Sequence, residues 1–366
     1  MKVLVVSVIW PPDIGGPASH APDVAGFLAG RGHDVRVIVT ADRPPLPQPY
    51  PVDWIPRSRP KGISHGIASA RIARAARHVD VVYATGMFTR TAIACAAARR
   101  PFVLKLTGDP AFERARWRRR VGGNVEAFQK GGGGLESALL RRVRDASLRP
   151  AAHVLCPSGY LRALAISWGV APERVSVLPN AIPPPPVLGE RADLRASFDM
   201  QEPTLAFAGR FGPQKALDVL VDAVQLVDGV SLLLAGEGDP PPTGPRVRLL
   251  GPLPRERVLE LLAAADAAVL SSSWENFPHV LVEALSVGTP VIATRVGGVS
   301  EIVQDGSNGL LVPPNDVAAL AAAIRRFVAD DELRAKLRAA SAASVQRFRP
   351  EHIYAELEAV LAAACR

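Results

Sequence analysis

The stretch AAVLSSSWENFPHVLVEALSVGTPVIAT, which covers Ala267–Thr294, contains a complete unit of strand, loop, helix and second strand. Its two ends are short, continuous apolar runs, as expected for strands that are covered on both faces of a sheet. The helix between them continues through the segment from Glu283 to Val287. Units of this kind build parallel sheets, because the helix returns the chain to the edge where the first strand began. The stretch therefore predicts an α/β fold.

The same alternation of apolar runs and alanine-rich segments extends through most of the chain. The predicted strands of the first half are Lys2–Val8, Asp34–Thr40, Val79–Thr85, Phe102–Thr107, His153–Ser158 and Arg174–Pro179. Those of the second half are Thr204–Gly209, Ser231–Gly236, Arg246–Gly251, Ala267–Ser272 and Pro290–Thr294. Predicted helices include Ser64–Arg77 and Thr89–Arg99, and the chain after Pro314 is predicted to be helical over Asp316–Ala329, Glu332–Val345 and Glu351–Ala364.

The segment Pro179–Glu190 contains five prolines and interrupts this alternation. Proline stiffens the chain and removes a backbone donor, so the segment is interpreted as a linker between domains. A length of 366 residues also favours two domains. We expect two Rossmann-like domains, residues 1–182 and 183–349, with the C-terminal helix at 350–366 joined to the first. Ligands of such folds bind at the carboxyl ends of the strands, here in a cleft between the domains.

Composition excludes several classes of protein. Apolar residues make up 48% of the chain and charged residues 21%, which is an ordinary globular balance rather than that of a disordered chain. No apolar run reaches the length of a membrane span, and the run Val3–Trp10 is interpreted as a buried strand rather than a secretory signal. Three scattered cysteines indicate neither a disulfide framework nor a zinc site. We expect a cytoplasmic protein, and work at the inner face of a membrane is the alternative.

Basic residues are concentrated in one part of the first domain. Between Arg57 and Arg149 there are 20 Lys or Arg and 6 Asp or Glu, against a net charge of +8 for the whole chain. Such a surface suits anionic lipid or a phosphorylated acceptor, and alternatively it is only a solvated face. Nucleic acid is not expected as a partner, because no nucleic-acid-binding motif accompanies the arginines. Residues 108–134, which lack clear periodicity, are predicted to form a long loop that shapes an acceptor site.

The first strand is followed by the turn Trp10–Pro17, which does not match the GxGxxG pattern of dinucleotide-binding proteins. A nicotinamide dehydrogenase is therefore not expected. Gly15-Gly16 directly precedes a predicted helix, so bare backbone amides there could approach an anion, or the pair could form only a turn. His20, one turn into that helix, is on pattern alone more often a packed or exposed residue than a catalyst.

Charged residues follow two predicted strands of the second domain. Arg210 ends one strand, and Lys215 comes five residues later at the start of the next helix. Two such cations could neutralise a diphosphate without a metal, and the chain contains no Asp-x-Asp pair to hold a divalent ion. Glu275 and Glu283 follow another strand, where carboxylates could accept hydrogen bonds from sugar hydroxyls. As spacing alone, both pairs are also compatible with ordinary surface charges.

Together these elements resemble the retaining glycosyltransferases of family 4, which have the GT-B fold. The resemblance covers nearly the whole chain. Its motifs in the first half are Gly15-Gly16, Arg31–Val35 and Ser176–Asn180. In the second half they are Gly209-Arg210 with Lys215, Gly236–Gly238, Arg248–Gly251, Glu275–Pro290, Gly297-Gly298 with Glu301, and Asp305–Val312.

The resemblance implies roles for individual residues. Arg210 and Lys215 would bind the diphosphate of the donor with help from the Gly16 amide, and Glu283 would hold the ribose. The remaining donor contacts that it implies are Leu249, near the base, and Glu275, Asn276, Phe277, Pro278 and Leu281. Catalysis is assigned to Glu275, Asp109, Arg210 and Lys215, acting mainly through charge stabilisation. No cofactor and no metal are expected.

The chain departs from the family pattern at two places. Asn276 stands where glycine is usual, although asparagine tolerates left-handed backbone angles. Thr107-Gly108-Asp109 replaces a segment that often holds a histidine, and with Glu113 and Phe128-Gln129 it resembles a Gly-Asp subset of the family. Asp109 would then contact the donor sugar or the acceptor hydroxyl, or alternatively cap the segment that follows it. The expected acceptor contacts are His20, Asp109, Glu113 and Arg118.

The resulting hypothesis is a metal-independent, retaining enzyme that moves a hexose from a nucleotide-diphosphate sugar to a hydroxyl. The acceptor would be a saccharide, a lipid-linked glycan or a natural product, anionic or membrane-bound, and UDP and GDP donors remain alternatives. Other GT-B activities, a nucleotide-sugar epimerase or a phosphorylase, form the second hypothesis. A weakly active protein that only binds nucleotide sugars is the third.

Overall fold

A computed structural model describes residues 1–13, 17–58, 61–117 and 125–366 of the chain. These residues form two compact units. Unit 1 contains Met1–Ala181 together with Glu351–Arg366, and unit 2 contains Ile182–Pro350. Among the described helices, none combines the length and the hydrophobicity that a membrane span requires.

Unit 1, within its described residues, contains a seven-stranded parallel sheet in the order β3-β2-β1-β4-β5-β6-β7. Its strands are β1 Lys2–Ser7, β2 Asp34–Ala41, β3 Val52–Pro56, β4 Val81–Ala84, β5 Phe102–Lys105, β6 His153–Cys156 and β7 Val175–Val177. Its helices are α1 Pro17–Gly30, α2 Lys61–Ala76, α3 Phe88–Ala98, α4 Pro110–Trp117, α5 Val125–Gln129, α6 Gly134–Leu148 and α7 Gly159–Ser167, with α14 Pro350–Ala364 from the end of the chain.

The central strand β1 shows why this sheet is covered on both faces. Val3 and Val5 pack into one apolar cluster, while Leu4 and Val6 pack into another. Successive side chains of a strand point to opposite faces, so a run without polar residues must be buried on both. Helices α1 and α14 contribute to the cluster around Val3 and Val5. Helices α2, α3 and α7 contribute to the cluster around Leu4 and Val6.

Helix α14 is held to unit 1 by apolar and charged contacts. Tyr354, Leu357 and Leu361 are buried in the cluster that also contains α1. Glu358 accepts hydrogen bonds from Arg31 and contacts His33 Nε2 at 2.7 Å, and these groups keep the pKa of its carboxyl low. The last helix of the chain is therefore an integral part of the first unit.

Unit 2 is described throughout and contains a six-stranded parallel sheet in the order β10-β9-β8-β11-β12-β13. Its strands are β8 Thr204–Ala208, β9 Ser231–Ala235, β10 Val247–Gly251, β11 Ala267–Leu270, β12 Val291–Thr294 and β13 Gly309–Val312. Its helices are α8 Arg191–Ser197, α9 Leu217–Gln225, α10 Arg255–Ala264, α11 His279–Ser286, α12 Val317–Ala329 and α13 Asp331–Ser344.

Local sequence explains the long helices of unit 2. Asp316 and Asp330 accept hydrogen bonds from the amides of Ala319 and Leu333, three residues later, and so cap α12 and α13. Between these caps, Leu320, Ile324 and Phe327 are buried at helical spacing. Capping and apolar periodicity are both readable from sequence, and both helices begin within a residue of the predicted starts.

The fold class is confirmed: two Rossmann-like parallel-sheet units are followed by C-terminal helices. The predicted strands are all present. Eight of them end one or two residues earlier than predicted, β2 ends one residue later, and β10 and β12 end as predicted. Two short strands, β3 and β13, are absent from the prediction. The long loop predicted over residues 108–134 is wrong in its described part, which is largely helical in α4, α5 and the start of α6.

Candidate functional site

The carboxyl edge of the unit 2 sheet brings together the residues after β8 and those after β11. These two strands are hydrogen-bonded neighbours, so their following loops lie side by side. Arg210 follows β8 and is exposed, and Lys215 ends a short 3₁₀ turn before α9. Glu275 lies in the loop between β11 and α11. The sheet topology thus places both predicted cations and the first predicted glutamate at one edge.

Lys215 and Glu275 form a direct ion pair. The Lys215 Nζ atom lies 2.5 Å from Glu275 Oε1, and the same oxygen accepts a hydrogen bond from Ser272 Oγ at 2.8 Å. The Lys215 side chain keeps 20% of its surface exposed, against 9% for Glu275. The carboxylate is therefore held by two partners, while part of the Lys215 side chain stays exposed at the sheet edge.

Hydrogen bonds to the main chain fix the two loops to each other. Ser271 Oγ donates to the Lys215 carbonyl at 2.7 Å, and the Gln214 amide donates to the Trp274 carbonyl at 2.9 Å. The backbone amide of Ser273 also donates to the Gln214 carbonyl. With these contacts in place, Lys215 and Glu275 need little reorganisation when a ligand binds, which is the condition for strong electrostatic stabilisation.

A glycine in the segment after strand β12 allows that segment to approach the Glu275 backbone. Gly297, after β12, has a φ of 48°, and a Cβ built on it would lie 1.8 Å from the Glu275 carbonyl oxygen. The next residue, Gly298, donates its amide to that oxygen at 3.2 Å. A side chain at Gly297 would push the Glu275 loop away from Lys215, so this glycine is required by the close approach.

Glu283 lies on α11 and is paired with Arg255 at the start of α10. The Arg255 Nε atom lies 3.1 Å from Glu283 Oε1, and 17% of the Glu283 side chain is exposed. Burial raises the pKa of Glu283, while the Arg255 guanidinium opposes that rise. Sequence reasoning missed Arg255, because an arginine at a helix start carries no distinctive pattern of its own.

Unit 1 has a separate cavity of about 530 Å³ at the carboxyl ends of its central strands. Val8, Thr85 and Thr107, which follow β1, β4 and β5, form its floor. The side walls come from α3 and α6, where Thr89 Oγ1 and Ser147 Oγ are 2.8 Å apart. A concave site at this edge of a parallel sheet is the usual place for a ligand.

Charged residues line this cavity on two sides. Arg90, Arg114 and Glu113 all contribute to its wall. Burial and the neighbouring Arg114 lower the pKa of Arg90. Glu113 is exposed into the concave surface, and the surrounding protein, together with the nearby Asp109 charge, raises its pKa to about 7. The cavity therefore offers cationic groups and one carboxyl that titrates near neutrality.

Two family models match adjacent parts of the chain. "Glycosyltransferase Family 4" matches residues 14–184, and "Glycosyl transferases group 1" matches residues 191–343. The chain is therefore similar to family 4 glycosyltransferases over its N-terminal half and to group 1 glycosyltransferases over its C-terminal half.

Individual relatives of this GT-B chain are moderately similar. A D-inositol 3-phosphate glycosyltransferase of Xylanimonas cellulosilytica is 34% identical over 205 residues, which are 50% of this chain and 49% of the relative. The lipopolysaccharide core biosynthesis glycosyltransferase LpsE of Rhizobium meliloti is 36% identical over 158 residues, 40% of this chain and 45% of that protein. The chain thus spans about half the length of the curated relatives it matches.

Solved structures share the GT-B fold over the full length of the chain. HepE of Anabaena in complex with UDP has a TM-score of 0.79 at 23% identity, with 99% of this chain and 100% of that chain covered. Sucrose-phosphate synthase from Thermosynechococcus elongatus has a TM-score of 0.77 at 22% identity, with 99% of each chain covered.

Within this GT-B chain, Asp109 occupies a sealed position. Its side chain has no exposed surface, and its Oδ2 accepts hydrogen bonds from Arg144 at 2.7 Å and Gln129 at 2.7 Å. Its Oδ1 accepts the Ala111 amide at 2.8 Å at the start of α4. Both oxygens are engaged inside the protein, and the contact with the Ala111 amide is the one expected if Asp109 caps the segment that follows it, so its contact with a sugar or an acceptor stays a prediction.

The remaining predicted donor contacts differ in how much of their surface is exposed. Leu281 is 1% exposed and donates its amide to the Pro278 carbonyl, and its assignment to the donor site stays a prediction. Asn276, Phe277 and Pro278 are buried beside Glu275 at the start of α11, whereas Leu249 on β10 is exposed.

The predicted acceptor residues do not all meet. Glu113 lines the unit 1 cavity. His20 is half-buried instead, with Nε2 at 2.8 Å from Tyr83 Oη and its ring against Tyr354. Gly16 and Arg118 lie outside the described residues, so their predicted roles stay predictions.

Proposed function

We propose that the protein is a glycosyltransferase that moves a hexose from a nucleoside diphosphate sugar to a hydroxyl acceptor, with retention of anomeric configuration and without a metal ion. The observation that carries the proposal is the Lys215–Glu275 pair beside the exposed Arg210 at one sheet edge. A fixed carboxylate and two reachable cations are what a donor with a hydroxylated sugar and a diphosphate requires.

In the proposed reaction the bond between the anomeric carbon and the diphosphate oxygen breaks, and a bond from that carbon to the acceptor oxygen forms. Arg210 and Lys215 stabilise the charge that develops on the departing diphosphate, which takes up the acceptor proton. Glu275 orients Lys215 and accepts hydrogen bonds from the hexose. Glu283, held by Arg255, accepts those of the ribose. We take UDP as the first donor nucleotide to test, since HepE is solved with UDP and with UDP-glucose.

The acceptor is proposed to bind in the unit 1 cavity and to carry an anionic group. Arg90 and Arg114 in its wall favour a phosphate or a carboxylate, and the inositol-phosphate glycosyltransferases among the relatives point the same way. Glu113 and the Thr89–Ser147 pair supply acceptors and donors for hydroxyl groups. Gly108 of the Gly-Asp segment lines this cavity, and we infer that the buried Asp109 shapes it by holding the surrounding helices.

The test combines product analysis with a charge variant. Protein treated with EDTA is incubated with UDP-glucose and myo-inositol phosphate, and the product is analysed by NMR for its anomeric configuration. The proposal expects an α-linked glycoside and release of UDP, both strongly reduced in Lys215→Ala and unchanged in Lys336→Ala, an exposed lysine of unit 2. An isomerised nucleotide sugar, release of a sugar phosphate, or binding of UDP without any turnover across an acceptor panel would instead support the other GT-B activities or a binding protein.

A further inference from the structure

The cavity of unit 1 contains two arginines that lack a counter-charge. Arg90 on α3 and Arg114 on α4 both line its wall, and among the described residues neither side chain forms a hydrogen bond or an ion pair. Burial lowers the pKa of Arg90, and the like charge of Arg114 lowers it further. Guanidinium groups that repel each other, one of them partly buried, are stabilised when an anion lies against them.

A carboxyl group lies in the same wall and is also unpaired. Glu113 precedes Arg114 on α4 and lines the cavity, and within the described part of the chain its side chain has no hydrogen-bond or ion-pair partner. Arg144 of α6, which lines the cavity too, is paired instead with the sealed Asp109. A carboxylate in this wall would repel an anion held by two arginines, whereas a carboxylic acid can donate a hydrogen bond to it.

The surroundings of Glu113 favour the carboxylic acid. Burial and the negative charge of Asp109 raise its pKa to about 7, while Arg116 on the same helix opposes the rise. His65 on α2 also lines the cavity, and histidine is the other residue type there that gains a proton near neutral pH. At neutral pH the free protein therefore carries the Glu113 proton about half of the time, and a bound anion would hold it in place.

We propose that an anionic group of the acceptor binds against Arg90 and Arg114 with Glu113 as a hydrogen-bond donor, so that binding takes up one proton from solution. This inference rests on the acceptor role proposed for the cavity and specifies how acceptor binding is regulated by pH. The proton is bound by a carboxylate oxygen of Glu113 and donated to an oxygen of the anion, and no covalent bond of the ligand changes. Binding therefore weakens as the pH rises, although both arginines keep their charge.

Calorimetry with inorganic sulfate tests this coupling on the full chain. Sulfate is the probe because its charge stays constant between pH 6 and pH 9, unlike that of phosphate. A single coupled carboxyl predicts binding about tenfold weaker at pH 8 than at pH 6, and about a hundredfold weaker at pH 9. Titrations in two buffers with different enthalpies of ionisation measure the proton uptake, which should be about half a proton at pH 7 and nearly one at pH 9.

Variants assign the proton and the anion to this cavity. Glu113→Gln donates a hydrogen bond at every pH, so its affinity should change little with pH and should exceed that of the original protein about tenfold at pH 8. His65→Gln should keep the pH dependence. Arg90→Leu combined with Arg114→Leu should weaken sulfate binding more than about tenfold at pH 6. Glu256→Gln removes an exposed carboxylate of unit 2 and should behave like the original protein.

The results that would overturn the proposal differ in what they leave standing. Sulfate binding that the double arginine variant loses but that does not depend on pH would remove the role of Glu113 and leave the anionic acceptor site in place. An unchanged pH dependence in Glu113→Gln would assign the proton to another group. Sulfate binding that is absent, or that is unchanged in the double arginine variant, would overturn the anion site and the proposed acceptor cavity together. Circular dichroism melts confirm that each variant is folded.

Discussion

Two carboxylates occupy comparable places in the two units, and their surroundings differ. Asp109 follows β5 in unit 1 and pairs with Arg144, while Glu275 follows β11 in unit 2 and pairs with Lys215. The Asp109–Arg144 pair is sealed, with side-chain exposures of 0% and 3%, whereas Lys215 keeps 20%. A sealed pair positions the groups around it, whereas a pair whose lysine side chain is partly exposed is open to an anionic ligand.

The contacts around each pair support this distinction. Arg144 stacks over the Trp168 ring at 3.9 Å, and Gln129 bridges Trp168 Nε1 and Asp109. These groups belong to α5, α6 and the end of α7, so the Asp109 network holds helices together. The partners of Glu275 instead come from loops at the sheet edge, Ser272 and Lys215, and they hold side chains in place for a ligand.

The largest expected effect is on the sealed pair. Asp109→Asn or Arg144→Leu leaves a buried polar group or charge without its partner, so the free energy of unfolding should fall by about 3–5 kcal/mol. Urea denaturation of the full chain measures it, and the double variant should lose less than the sum of the two losses. If Asp109→Asn kept its stability but lost turnover, Asp109 would act on substrate and the comparison would fail.

The next effect concerns the open pair. Lys215→Ala removes the cation proposed to stabilise the departing diphosphate, so kcat should fall by about 10²–10³-fold. Initial rates with saturating UDP-sugar measure this fall, and the thermal shift caused by UDP should disappear with it. Lys336→Ala is the matched control. Turnover that survives in Lys215→Ala would place the reacting diphosphate elsewhere.

A smaller effect is expected at the proposed ribose contact. Glu283→Gln loses a charge-assisted acceptor for the ribose, so KM for the donor should rise about tenfold while kcat changes little. Arg255→Ala should raise KM less, because it only orients Glu283 and is itself half-exposed. Glu256→Gln, an exposed carboxylate on the same α10 helix, should leave KM unchanged. A loss confined to kcat would mean that Glu283 acts on the transition state and not on ribose binding.

The smallest effect is a pH dependence of stability at the cavity. Folding raises the pKa of Glu113 from 4.5 to about 7, so the folded chain holds a proton there that the unfolded chain releases. The stability contributed by that proton is present below pH 4.5 and is lost as the pH rises through 7. Glu113→Gln should therefore match the original protein at pH 4.5 and be more stable at pH 8. The urea concentration at the midpoint of unfolding is measured for both proteins at pH 4.5 and at pH 8. Identical midpoints at pH 8 would contradict the raised pKa of Glu113.

Much of the candidate donor site could be predicted from sequence. The charged residues of this site lie beside strands and helices with strong apolar patterns. Local sequence was therefore enough to place them at one sheet edge. They are Arg210, Lys215, Glu275 and Glu283. The surroundings of Asp109 in unit 1 were harder to predict from sequence. The partners of Asp109 lie 20 and 35 residues away in helices α5 and α6, and such pairings depend on packing that no local pattern contains.

The missed elements have similar causes. Strand β3 contains Asp53 and ends in a proline, and β13 begins at a glycine, and these residue types weaken a strand signal. Helix α4 has arginines on its exposed side and little apolar periodicity, and its Phe112 is buried against Phe128 of α5. Tertiary contacts, more than helix propensity, order this region.

By itself the sequence determined most of the strands and helices and their order, the two-domain organisation and the charged residues of unit 2, because each depends on residues that are near one another in the chain. Only the tertiary structure decided which charged side chains of the two units are sealed and which are partly exposed. Burial and pairing depend on side chains that come together from distant parts of the chain. They determine the free energy that it costs to keep each side chain charged in the folded protein.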